Sequence, residues 1–138
     1  MMREILFRGK DSITKRWVYG ALVQQQDDLL KEKAFIISYS NYQFGDFSEA
    51  VMHEVDPETV GQYTGFVDKK GKKIFEGDIV SIYNSKAFLF AVEWNNQYVL
   101  KCTTNGVSDN ILNVIESPED VEVVGNIYDN PELIKDGK

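Results

Sequence analysis

The sequence predicts a mainly β fold: a small SH3-like or partly open β-barrel over about residues 62–128, with an N-terminal β-rich lobe and short helical turns. Two observations carry this prediction. Short segments rich in aromatic and β-branched residues recur about every 8–12 residues, and turn-forming residues separate them. The chain of 138 residues is also 43% apolar and 12% aromatic, a composition that can build a packed core.

Four segments of the N-terminal lobe, residues 1–60, are predicted strands: REILFRG, WVYGALV, FIISYS and AVMHEV. The first two should pair as a hairpin around the polar stretch KDSITKR. The stretches QQQDDLLKEKA and NYQFGDFSE are predicted loops, the former with a short helical turn as an alternative. Asp56 as N-cap and Pro57 at the first helical position predict one helical turn that ends at Gly61.

The middle of the chain predicts a hairpin with a glycine bulge. QYTGFV and KKIFEG flank DKKG, in which the Asp68 carboxylate can accept from the backbone two residues on. Gly71 lies where the turn needs a left-handed residue. Gly77 is predicted to start the next strand with a sharp bend, and Asp78 to cap backbone donors there.

Further strands are predicted in the C-terminal lobe, residues 61–138, at GDIVSIY, AFLFAVEW, YVLKCTT and VEVVGNIY, with NILNVIE as a candidate strand. The segment GNIYDNPE could be an exposed recognition patch, or it could begin a helical turn that Asn130 caps. The capped turn is favoured. FLFAVEW is apolar on both strand faces, so it needs a second covering layer, from the N-terminal lobe or from another subunit. The second source would make a homo-oligomer.

Charge and hydropathy exclude several classes of protein. The net charge of −7, from 15 basic and 22 acidic residues, opposes bulk attraction to nucleic-acid phosphates. The N-terminus is charged within three residues, so no signal peptide is expected. No apolar stretch reaches about 18 residues, so no membrane partner is expected and a cytoplasmic location is predicted.

Metal and nucleophile chemistry finds little support. Cys102 is the only cysteine and His53 the only histidine, which exclude an intrachain disulfide and a multi-histidine site. Cys102 is predicted to be a small buried apolar residue. Nothing in the sequence singles out a serine partner for His53, and no phosphate-binding glycine pattern occurs. No catalytic residue, metal or cofactor is therefore expected.

The acidic residues Asp68, Glu76 and Asp78 could form a cation or acid–base cluster, or they could support turns. An extended hairpin separates Asp68 from Glu76 by roughly 15 Å or more, which one ion cannot span. The turn interpretation is favoured. A second group of residues is a candidate interaction surface: Tyr63, Lys69, Lys70, Lys72, Lys73, Phe88, Phe90 and Trp94.

The lysines of this surface lie beside Tyr63, Phe66 and Phe75, which resembles a nucleic-acid-binding loop with cations for phosphates and rings for bases. A solvated hairpin tip is the simpler interpretation, because the chain is acidic overall. Aromatic residues also anchor protein interfaces, which favours a protein partner.

The segment TVGQYTGFVDKKGKKIFEGDIV, residues 59–80, resembles the core motif of the YopX-like family of phage and prophage proteins. The opening MREILFRGKD with WVYGAL and the close VEVVGNIYDNPELI resemble the start and end of that family. The resemblance implies a single YopX-like domain over residues 1–138, small and mainly β. It brings with it no established enzymatic activity and no catalytic residues.

Together these observations favour a non-enzymatic phage or prophage accessory protein in the cytoplasm of a bacterial host. Its expected partner is a protein, either from host or phage or a second copy of itself, and the acidic surface suits a basic partner. The alternative is a nucleic-acid-binding β-barrel that uses the Lys69–Lys73 hairpin, and an enzyme of unknown type comes third.

Overall fold

A computed structural model describes residues 4–26, 29, 31–41, 46–82, 89–94, 98–102, 110–111 and 121–134. These ranges contain eleven strands: β1 Phe7–Lys10, β2 Trp17–Gln26, β3 Glu32–Asn41, β4 Asp46–Val55, β5 Gly61–Val67, β6 Lys73–Phe75, β7 Asp78–Ile82, β8 Leu89–Trp94, β9 Tyr98–Cys102, β10 Asn110–Ile111 and β11 Val121–Asn126. The prediction of a mainly β chain with short helical turns is therefore confirmed.

The chain divides into two compact units, an N-terminal unit of Met1–Gln62 and a C-terminal unit of Tyr63–Lys138. The hydrogen-bonded strand order in the N-terminal unit is β4-β3-β2-β1-β5, and β5 continues into the C-terminal unit to pair with β6. A second sheet has the order β10-β9-β8-β7-β11. All of these pairs are antiparallel, and the described strands form sheets rather than a closed barrel. An SH3-like relationship stays a prediction.

One face of the N-terminal sheet builds the core of its unit. Ala34, Ile36 and Val55 are buried there, and Leu22 is among the partly buried apolar residues packed against them. Side chains alternate across a strand, so the even-numbered positions of β3 face this core and the odd-numbered positions face away. The same alternation assigns the faces of β2 and β4 through their registers.

The sheet of the N-terminal unit curls, because its fourth strand meets the turn after its first. Asp11 forms an isolated antiparallel bridge with Val55. The backbone N–H of Ser12 donates to the carbonyl of Glu54 at 3.0 Å. Gly9 permits this approach, since a Cβ there would lie 2.9 Å from Cγ2 of Val55. We call this line of contacts, between Asp11–Ser12 and Glu54–Val55, the seam.

The core of the C-terminal unit forms around β7 and β8. Ile74, Val80, Phe90, Val92 and Val121 are buried together. The consecutive residues Phe90, Ala91 and Val92 are only 9%, 7% and 1% exposed, so β8 is buried on both faces as predicted. This burial is complete within a single chain. It therefore no longer indicates a second subunit.

Two predicted loops are strands at their ends. The segment QQQ extends β2, and β3 begins at Glu32, within the segment KEK. Gln24 lies opposite Ala34, and Gln26 lies opposite Glu32. Similarly, β4 begins at Asp46, inside the predicted loop NYQFGDFSE. The loop prediction was wrong at these positions because ladder hydrogen bonds extend a hairpin beyond the core, where polar side chains can stay in water. Of the candidate strand NILNVIE, β10 is Asn110–Ile111 and the rest lies outside the described residues.

Both predicted helical turns are present as 3₁₀ turns, Pro57–Thr59 and Pro131–Leu133. Their N-cap side chains make other contacts instead of capping. Asp56 Oδ2 accepts from Lys15 Nζ at 3.1 Å, and Asn130 Oδ1 accepts from the backbone N–H of Asn126 at 3.1 Å. Within the described ranges, no helix has the length and apolar character that a membrane crossing needs.

Candidate interaction surface

The Asp68 carboxylate organises the central hairpin turn. Its Oδ1 accepts from the backbone N–H groups of Lys70 and Lys72, each at 2.9 Å, and its Oδ2 accepts from Val123 at 3.0 Å. Gly71 has φ of 80°, the left-handed conformation that the turn requires. The turn interpretation of Asp68 and Gly71 is therefore confirmed. The contact with Val123, on β11, has no counterpart in the local sequence pattern.

Two opposing effects set the pKa of Asp68. Burial of the side chain would raise the pKa, but the hydrogen bonds from Val123, Lys72 and Lys70 outweigh that effect and lower it. The carboxylate is consequently ionised at neutral pH and satisfied by backbone donors. Its role is to hold the turn.

Asp78 serves the second bend. The backbone N–H of Phe75 donates to Asp78 Oδ2 at 2.7 Å, and Gly77 between them has φ of 88°. Asp78 is 1% exposed. This confirms that Asp78 caps a backbone donor at the bend. In the part of the chain that the structure describes, no group of three or more His, Cys, Asp or Glu side chains could hold a metal ion.

Glu122 of β11 forms ion pairs with two of the four hairpin lysines. Lys69 Nζ lies 3.3 Å from Glu122 Oε1, and Lys70 Nζ lies 2.9 Å from Oε2. The contact raises the pKa of Lys70, and the hydrogen bonds from Lys70 and Lys69 lower the pKa of Glu122. One carboxylate therefore offsets part of the positive charge that a phosphate backbone would need.

The aromatic ring of Tyr63 also makes contacts within the hairpin. Lys73 Nζ lies 5.7 Å from the centroid of the Tyr63 ring, and the Tyr63 and Phe75 rings lie 5.7 Å apart. Lys72 is exposed at the turn. The structure thus brings these predicted residues together, but the contacts of Tyr63 are with a lysine and a ring of the same hairpin.

Two residues of the predicted interaction surface, Phe90 and Trp94, lie on β8 and differ in their exposure to solvent. Phe90 belongs to the core of the C-terminal unit, and its burial removes it from any interaction surface. Trp94 is 57% exposed and remains available. Phe88 lies outside the described residues, as does the side chain of Cys102 at the end of β9.

A larger apolar surface lies on the N-terminal unit, on the sheet face that points away from its core. The register places Ala21 opposite Ile37, Val23 opposite Phe35, and Ile37 opposite Met52. Directly opposite residues share a face. We define the outer face as these positions and their same-face neighbours: Tyr19, Ala21, Val23, Phe35, Ile37, Ala50 and Met52.

The outer face is open to solvent at several large side chains. Met52 is 59% exposed, Tyr19 46% and Val23 37%, and Phe35 and Ile37 between them are half-buried. Large contiguous apolar patches on a soluble protein mark interaction sites. The sequence held a signal for this face, because β2 and β3 are apolar at both odd and even positions, whereas a strand with one wet face alternates.

The N-terminal unit also contains a cleft of about 390 Å³. Its lining is largely polar: Gln24, Gln25, Gln26, Glu32, Lys33, Ala34, Pro57 and Val60. Small-molecule sites are usually concave and mostly apolar, with a few convergent polar groups. This cleft does not match that description, so the outer face is the stronger candidate for a functional surface.

Comparison with known proteins gives a family and a fold. The family model described as YopX protein matches residues 6–135. The crystal structure of protein EF1440 from Enterococcus faecalis is similar over 97% of this chain and 100% of that chain, with 21% identity and a TM-score of 0.56. At this identity the similarity shows the fold. No curated protein matches the sequence significantly.

Proposed function

The chain belongs to the YopX family, and we propose that it is a phage or prophage accessory protein that works by binding another protein in the bacterial cytoplasm. One observation carries this proposal. The outer face is a sheet surface of neighbouring apolar side chains that the chain leaves exposed, with Tyr19, Val23 and Met52 as its most accessible large members. A partner that covered these residues would remove apolar area from water, which is the main driving force for protein association.

The anatomy of the outer face resembles that of a protein interface. Such interfaces have an apolar centre with aromatic residues and methionine enriched, surrounded by a polar rim. Phe35 and Ile37 lie at the centre of the outer face by register, and the exposed Glu54 lies directly opposite Phe35. The outer face therefore offers apolar anchors beside a charge that can set partner choice.

The charge of the chain favours a basic partner. At a net charge of −7, two copies of this chain repel each other at long range, whereas a positively charged protein is attracted. The proposed partner is accordingly a basic protein with an apolar centre, of host or phage origin.

Nucleic-acid binding is less well supported. It would use the Lys69–Lys73 hairpin, but Glu122 pairs with Lys69 and Lys70. The contacts of Lys73 and Phe75 with Tyr63 further oppose base stacking on that ring. A second observation that would favour this function is not found among the described residues.

Affinity capture from bacterial cells tests the proposal when it is run with matched variants. Met52→Glu places a charge on the outer face, whereas Ile13→Glu changes an apolar residue that is 88% exposed in the turn after β1. We expect a basic protein to be retained by the unmodified chain and by Ile13→Glu, and to be lost with Met52→Glu. Capture that is equal for all three proteins would contradict binding through the outer face.

A further inference from the structure

Three polar side chains from separate elements form a hydrogen-bonded series beside the seam. Asp11 Oδ2 lies 3.1 Å from His53 Nδ1, and His53 Nε2 lies 3.3 Å from Ser38 Oγ. The register explains the second contact. Ile36 lies directly opposite His53, so Ser38, two residues further along β3, is the diagonal neighbour of His53 on the same face.

Hydrogen-bonding logic fixes the direction of this series. The backbone N–H groups of Thr14 and Ile13 donate to Asp11 Oδ1 at 3.0 and 2.8 Å, and they lower the pKa of the Asp11 carboxyl. The carboxylate is thus ionised at neutral pH and can only accept, so Nδ1 of His53 must carry a proton. In the neutral form of the ring Nε2 is then an acceptor, and the Ser38 hydroxyl donates to it.

We propose that Ser38 is a nucleophile activated by His53, and that the protein reacts with small activated esters and phosphonyl fluorides. The arrangement is serine to Nε2, and Nδ1 to carboxylate, which are the atoms that a general-base mechanism uses. Ser38 and His53 are the catalytic residues. Asp11 is a positioning residue that sets the tautomer of His53. This inference is independent of the proposed binding function.

The acyl group is transferred to Ser38 and then to water. Ser38 Oγ forms a bond with the acyl carbon, and its proton moves to His53 Nε2. The bond between the acyl carbon and the leaving oxygen breaks, and the leaving group takes the proton from Nε2. Water then attacks the acyl carbon while His53 Nε2 accepts a proton from the water. The bond between the acyl carbon and Ser38 Oγ breaks, Oγ takes the proton from Nε2, and the carboxylic acid is released. With a phosphonyl fluoride, Oγ bonds to phosphorus and fluoride leaves, while the proton stays on His53.

Small reagents can reach the site, because Ser38 is half-buried and Val51, directly opposite Ser38, is 44% exposed. The His53 side chain is 26% exposed and that of Asp11 is 14% exposed. The cleft described above is lined by other residues, so the reagent must be small and already activated. A positioned general base typically contributes about 10²–10⁴-fold to the rate, and we expect the lower end of this range.

Asp11 also has a structural role, which the test must separate from its role in positioning His53. The seam contains the Asp11–Val55 bridge and the Ser12–Glu54 hydrogen bond, neither of which involves the Ser38 hydroxyl. Ser38→Ala therefore removes the nucleophile without changing the seam. Ser12→Ala is a matched control, because it deletes a neighbouring hydroxyl outside the series.

The experiment is labelling of the folded full chain with a fluorophosphonate probe, with the modified residue identified by mass spectrometry. We expect one modification, at Ser38, about 10²-fold faster than for a free serine peptide, lost in Ser38→Ala and kept in Ser12→Ala. Absence of labelling in the unmodified folded chain would overturn the proposal. Labelling of equal extent in Ser38→Ala would overturn it as well.

Nitrogen-15 NMR of the single histidine tests the positioning role of Asp11 without relying on reactivity. We expect the neutral ring to carry its proton on Nδ1 in the unmodified chain. Asp11→Asn can keep the turn hydrogen bonds and present an amide donor to His53, which should move the proton to Nε2 and abolish labelling. A proton on Nε2 in the unmodified chain would overturn the assignment.

Discussion

The Asp68 carboxylate accepts the backbone N–H of Val123 at 3.0 Å, although the two residues lie 55 positions apart in the sequence. A neighbouring backbone bond, from the N–H of Lys69 to the carbonyl of Val121 at 2.9 Å, joins the same two segments. One carboxylate therefore closes a local turn and also ties that turn to β11. The residues that look most like a functional motif in the sequence are thus a structural clasp within the C-terminal unit.

Asp68→Ala should destabilise the protein strongly. It leaves the part-buried backbone donors of Lys70, Lys72 and Val123 without their acceptor, and a donor left unsatisfied costs about 1–3 kcal/mol when it is buried. We expect a loss of about 3 kcal/mol or more in the free energy of unfolding, measured by urea denaturation. Glu132→Ala, at an exposed position of the same unit, is the control and should change it by less than about 0.5 kcal/mol. A loss below about 1 kcal/mol for Asp68→Ala would show that the clasp is not important.

The free energy of unfolding should decrease at acidic pH, and protonation of Asp68 should account for part of this decrease. Its pKa is lowered in the folded state from the ordinary value of 3.8, so the unfolded chain binds a proton first as the pH falls. The stabilisation is complete above about pH 4. It decreases as the pH falls below that value and is lost once the pH passes the folded-state pKa. Asp68→Asn cannot titrate, so its free energy of unfolding should fall less steeply below pH 4. If the free energy of unfolding falls equally steeply below pH 4 in the two proteins, this explanation is contradicted.

The hairpin lysines should not bind nucleic acid measurably. Glu122 pairs with Lys69 and Lys70, and the chain carries a net charge of −7. We expect no salt-sensitive change in fluorescence polarisation with single-stranded or duplex oligonucleotides at low salt. Glu122→Gln removes the competing carboxylate and is the most favourable variant for binding. Oligonucleotide binding by the unmodified chain that becomes stronger in Glu122→Gln would contradict this prediction. It would show that the functional surface is the lysine hairpin and not the outer face.

The purified protein should be a monomer at micromolar concentration. The two-sided burial of Phe90, Ala91 and Val92 is complete within one chain, and copies with a net charge of −7 repel each other. Size-exclusion chromatography with light scattering should give a mass near 15.8 kDa. A concentration-dependent dimer that Met52→Glu dissociates would instead identify a second copy of the chain as the partner of the outer face.

The turns of this protein were predicted well from neighbouring residues in the sequence. The contacts that were not predicted are those between residues brought together by strand pairing. Asp68, Gly71 and Asp78 act where their spacing placed them, because turn chemistry depends on neighbours in sequence. The contact of Asp68 with Val123 depends on strand pairing, which the sequence alone does not specify. The same limit applies to Ser38 and His53, which become neighbours only through the β3–β4 register.

The extent of the strands and the exposed surface show a second limit. Gln24 and Gln26 have weak preference for strands, yet they extend β2 because β3 supplies hydrogen-bonding partners. Two-sided apolar patterning was visible in β8 and in β2. Sequence could not distinguish the buried faces of β8 from the open outer face that includes Val23, since burial depends on what packs above each strand.

The most direct test of the binding function is the affinity of the purified captured partner for three versions of this chain, measured by isothermal titration calorimetry. Met52→Glu should weaken binding by about 30-fold or more, because an interface anchor typically contributes about 2 kcal/mol. Ile13→Glu should stay within about twofold of the unmodified chain, which is the scale of surface changes away from a contact. Equal affinities for Met52→Glu and the unmodified chain would show that this protein does not act through its outer face.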